Sequence, residues 1–104
     1  MTMKKYVGAP KTFKVTVDGK PLNPRFDLRN HSPDGFCWGY LGSGPAQLSL
    51  AILADCLGAD LALVSYQKFK EHYIGNIPRE QGFEITEEQI QGMLREIGIS
   101  MPWD

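Results

Sequence analysis

Neither sign of charge dominates this chain: eleven Lys and Arg residues stand against twelve Asp and Glu, for a formal net charge of −1. No overall positive field draws it to a phosphate backbone, which argues against duplex nucleic acid as a partner. A polybasic run is also missing, and with it an electrostatic anchor for a membrane surface. Hydrophobic runs are short. The longest nearly apolar stretch, residues 48–57, is broken by Ser49 and Asp55 and falls far below the roughly 20 residues that cross a bilayer. The opening MTMKKYVG has no apolar core of the kind a signal peptide carries, so a cytoplasmic location is expected. Cysteine and histidine are scarce, with only Cys37, Cys56, His31 and His72. These four contain no close chelating pair, so no metal site is expected. Cys37 beside either histidine lacks a third, orienting group, so no catalytic residue is assigned. No cofactor is expected. The two thiols are expected to stay reduced, because Cys56 falls inside an apolar helix pattern and a chain that is 42% hydrophobic needs no staple. Repeats and low-complexity tracts are absent.

What is present suits a single domain over residues 1–104, large enough to bury about 60–70% of its unfolded surface. Residues 4–7 and 13–17 read as strands, the second with Phe13, Val15 and Val17 on one face. Asp18-Gly19 is a hairpin signal, because both central positions of the favoured turn need positive φ. Residues 20–22 return as a brief edge strand limited by Pro21 and Pro24. A polar loop follows, with Phe26 and Leu28 as its anchors. Residues 35–40, GFCWGY, read as a further strand with Phe36, Trp38 and Tyr40 on one face. A first helix is expected from about Pro45 to Gly58, apolar nearly all round. A second runs over residues 59–73, with Leu61, Val64, Phe69 and Tyr73 among its buried residues. Residues 82–85 make one more strand, and Thr86 with Gln89 forms a capping box for a third helix that closes at Gly98. The tail is expected to dock through Met101 and Trp103. The fold class is α+β: a small antiparallel sheet packed against about three helices.

At GFCWGYLGSGPAQLSLAIL the chain resembles a family of small, uncharacterised bacteriophage and bacterial proteins that share a domain of unknown function. VTVDGKPL, DLRNHSP, YQKFK and the IP…GFEIT…I segment extend the resemblance over most of the chain. The chain departs from the family pattern at Cys37, where an acidic residue precedes the tryptophan, and at Leu41, where glycine stands. The resemblance implies no catalytic residues. It implies a context, a cytoplasmic accessory protein of phage type concerned with host defence.

The candidate site begins at Gly42, Ser43 and Gly44, between the 35–40 strand and a helix N-terminus. Free backbone N–H groups and the positive end of the helix dipole suit a phosphate or carboxylate there. The motif is neither a P-loop nor a dinucleotide fingerprint. Glycine geometry with Ser43 as the helix cap is the plainer reading. Trp38 and Tyr40 are candidates to stack a nucleobase, against a plain core role. Arg25, Arg29 and His31 offer donors to an anion, against ion pairing with Asp27 or Asp34 that pins the loop. Together these residues point to a non-enzymatic binding protein for an anionic small molecule such as a nucleotide immune signal. The alternative is a protein–protein inhibitor or adaptor acting on a host defence enzyme. The all-apolar first helix also suggests a homo-oligomer.

Overall fold

The computed structural model describes residues 4–104; residues 1–3, part of the stretch read for a signal peptide, lie outside the described residues. Strand β1 covers Lys5–Gly8, β2 covers Val15–Val17 and β3 covers Lys20–Pro21. Asp18 at φ 51° and Gly19 at φ 81° make the two-residue turn of the β2–β3 hairpin, as the Asp-Gly pair requires. Strand β2 is shorter than expected because Phe13 takes a φ of 57°, which carries the chain out of the ladder two residues early. Strand β4, Phe83–Thr86, closes the sheet on the far side of β1. The order is β3-β2-β1-β4, with every neighbouring pair antiparallel. Alternation then sorts the faces. Tyr6, Val15, Phe83 and Ile85 are buried on one side, while Lys5 and Glu84 pair at 2.8 Å on the other.

Helix α1 spans Ser43–Leu57 and α2 spans Ala59–His72, with Gly58 between them at φ 93°. A short 3-10 turn, Ile74–Asn76, follows. Helix α3, Glu87–Glu96, starts on the capping box read from sequence: the Gln89 amide donates to Thr86 Oγ1 and the Thr86 amide to Gln89 Oε1. A four-stranded antiparallel sheet and three helices make the fold α+β. The radius of gyration, 12.4 Å, is close to the roughly 13 Å of a compact chain this long.

Helix α1 is the centre of the molecule, since Gly44 through Ala54 are buried without a break. Its apolar faces are therefore covered within one chain. No helix among the described residues is long and apolar enough to cross a membrane.

Four expectations are corrected. Residues 35–40 form no strand, because Gly35 at φ 116° and Gly39 at φ 88° turn the chain at both ends of the segment. The buried stripe of α2 is Ala62, Ser65, Tyr66 and Phe69, and Val64 lies on the opposite side with 76% exposure. The tail docks through Met101, with Ile99 also packed on the core. Trp103 is 61% exposed, and it is Asp104 that ties the end down, accepting from Arg95 and from the Met101 amide. Phe26 is exposed as well and anchors nothing, whereas Leu28 packs on the core.

Candidate functional site

The approach to α1 decides what its N-terminus can do. Helix α1 begins at Ser43, two residues before the proline expected to open it, and Gly42 is the N-cap with no side-chain bond to the first turn. Ser43 is thus the first helical residue and not the cap. Pro45 has no N–H, and the Ala46 amide already donates to the Gly42 carbonyl at 3.1 Å. That leaves the amides of Ser43 and Gly44, neither of which has a protein acceptor among the described residues.

Tyr40 folds back over this turn. A Cβ on Gly42 would collide with its ring, and one on Gly44 would stand 3.0 Å from its hydroxyl and 2.7 Å from Cβ of Cys37. Both glycines are required for this close approach. Arg79, from the turn before β4, lies over the other part of the arrangement. Its guanidinium carbon is 4.5 Å from the centre of the Tyr40 ring, and its stem crosses Gly39, where a Cβ would meet Arg79 Cγ at 2.7 Å. Arg79 has no ion pair among the described residues. Sequence reading missed it, because one arginine in a Pro-Arg-Glu turn carries no signal of its neighbours.

The remaining candidates lie elsewhere. Trp38 is fully buried, between Phe13 at 4.7 Å and the edge of Phe83 at 5.1 Å, and donates Nε1–H to the Gln81 carbonyl at 2.9 Å. It is core, with no face left for a base. Arg25 makes a two-pronged pair with Asp27 at 3.0 and 3.1 Å, which holds the Asp27 carboxyl below the usual range. Arg29 bonds the Leu28 carbonyl. His31 Nε2 sits 2.7 Å from the Tyr66 hydroxyl.

What holds that loop is Gln47, a fully buried amide in the second turn of α1. Its Oε1 accepts from the amides of His31 at 2.7 Å and Ser32 at 3.2 Å. Its Nε2 donates to the carbonyls of Pro24 at 2.6 Å and Arg29 at 3.1 Å. All of its bonding capacity goes to the backbone of residues 24–32. The loop is fixed by main-chain contacts, and its arginines are ornaments on an ordered frame.

The thiol of Cys56 is a poor nucleophile in this setting. Both cysteines are free, and burial, with Glu87 adding negative charge, pushes Cys56 up to about 12. No group of three His, Cys, Asp or Glu among the described residues is placed to hold a metal ion.

Among known protein families, the model of DUF6166, a family of unknown function, matches residues 6–96. No curated protein and no solved structure matches the chain.

Proposed function

We propose that this chain, which belongs to the DUF6166 family of unknown function, is a non-enzymatic binding protein for an anionic small molecule. One observation carries the reading: Tyr40 packs against the start of an uncapped helix whose Ser43 and Gly44 amides have no protein acceptor among the described residues, and its ring carries the guanidinium of Arg79, which has no ion pair among them. Amides and a helix N-terminus favour negative charge, and a planar fork recognises phosphate or carboxylate oxygens. Arg79 takes the part that Arg25, Arg29 and His31 were expected to play. A nucleotide is the ligand class that fits an accessory role in host defence in a cytoplasm, the context that the sequence resemblance implies.

The experiment is a thermal-shift panel of linear and cyclic nucleotides followed by calorimetric titration. A ligand at 100 times its Kd should add about 2.7 kcal/mol of stability. Arg79→Ala should weaken that ligand by about 1.5–3 kcal/mol through loss of a charge-assisted bond. Arg25→Ala should leave affinity unchanged, since its partner is Asp27. Ser43→Ala should leave stability unchanged, since its hydroxyl caps nothing. A flat panel, or a hit indifferent to Arg79→Ala, overturns the reading.

A specific observation favours the second reading, a protein–protein inhibitor or adaptor. Leu41 is 61% exposed beside Tyr40, and tyrosine and arginine are the residue types that dominate protein contacts.

A further inference from the structure

The β2–β3 hairpin borders a groove of about 460 Å³, within the size range of ligand-binding clefts. It shares no residue with the helix end described above. Its lining comes from residues 12–16 with Pro21 and Leu22 on one side, and from residues 34–36 on the other. Buried Val15 and Leu22 and the half-buried rings of Phe13 and Phe36 make it apolar. Phe13 holds its place at a φ of 57°, which a bulky residue adopts only under constraint, with its ring packed on Trp38.

The polar groups along the groove say what would fill it. Phe36 uses neither its N–H nor its C=O in any hydrogen bond among the described residues. Gly35, at φ 116°, has nothing within 4 Å of the place a Cβ would take, so a second backbone can come close. The hairpin side offers no donor at Pro21. On the 34–36 side, the free N–H and C=O of Phe36 offer main-chain pairing. One cation and one anion complete the lining, Lys14 and Asp34, and neither has an ion-pair partner among the described residues. Free main-chain groups, an apolar bed and one charge of each sign match a peptide better than a metabolite.

We infer that the groove receives an extended peptide segment of a partner protein. An apolar side chain of that segment enters between Phe13 and Phe36, and its main chain pairs with Phe36. An acidic residue meets Lys14 and a basic residue meets Asp34.

The test uses the full chain and a displayed library of random heptapeptides, selected in parallel against the wild type, Lys14→Glu and Asp34→Lys. Both charged residues are exposed, and thermal melts establish that the variants fold. The wild type should enrich peptides with an apolar residue flanked by one acidic and one basic residue. Lys14→Glu should convert the acidic preference to a basic one, and Asp34→Lys the reverse. A peptide selected on the wild type should lose about tenfold in affinity to either variant, keep its affinity for Arg79→Ala, and move the Phe36 amide resonance downfield in the labelled chain. No enrichment, charge preferences that ignore both reversals, or a Phe36 amide that stays in place overturns the inference. So does saturation of the groove by free nucleotides or amino acids without any peptide enrichment.

Discussion

Gln47 is the residue on which the candidate region depends most. Its four bonds reach the backbone of a loop between 15 and 23 residues away in sequence, and no water can replace it at a fully buried position. Gln47→Leu keeps the volume and leaves those amides and carbonyls unpaired, at about 1–3 kcal/mol for each buried group. Urea unfolding should show a loss above 2 kcal/mol, and amide exchange at His31 and Ser32 should accelerate. A loss under about 0.5 kcal/mol, the ordinary range of surface changes, would show that the loop is held by something else. Titration adds a second expectation at this scale. Burial, reinforced by the bond to Asp55, raises the Tyr6 hydroxyl, and burial raises Tyr73 and Cys56. Folded values above the unfolded ones mean a stability that is complete below the unfolded values, about 8.5 for cysteine and about 10 for tyrosine, and is lost as pH rises beyond them. The urea midpoint should therefore hold from pH 7 to about 8.5 and then fall. Cys56→Ala should remove the early part of that fall and leave the part above about pH 10. A midpoint constant to pH 11 would mean these groups ionise in the fold as they do in water.

At the scale of the element, α1 departs from the usual surface helix. A helix apolar on one stripe packs one face, but α1 buries eleven consecutive residues from Gly44 to Ala54. Leu50 and Leu53 are both fully buried. Leu50→Ala and Leu53→Ala should each cost about 2–5 kcal/mol, since neither site has a solvent side into which the structure can relax. Chemical denaturation of the two variants checks this, and a loss under 1 kcal/mol at either would show a loose face on α1. Segment 35–40 teaches the opposite lesson. Its aromatics alternate like those of a strand, yet Trp38 is fully buried while Tyr40 is 36% exposed. Alternation reports a strand only where the backbone has a partner to pair with, and here left-handed glycines bend it away from the sheet.

Across the whole molecule, the two ends of the chain build one sheet. Strand β1 pairs with β4 from Lys5↔Thr86 to Gly8↔Phe83, and Lys4 extends the join by bonding both Glu87 and Asp55. Helices α1 and α2 lie between them in sequence and pack on each other as the intervening unit. This long-range closure brings the turn at Arg79 against Tyr40, so the proposed anion site exists only in the completed fold.

The sequence by itself determined the features that depend on neighbours along the chain. The Asp18-Gly19 turn, the stop at Gly58, the Thr86 capping box and the three helices follow from local φ preferences, capping bonds and helical periodicity. The α+β class followed from counting those elements. Tertiary structure alone decided which side of α2 is buried, that Trp38 is core, that Gln47 holds the 24–32 loop, and that Arg79 lies over the Tyr40 ring. The reason is physical. A turn or a cap is settled by bonds spanning a few residues, whereas burial and the partners of a long polar side chain depend on segments that meet only when the sheet closes.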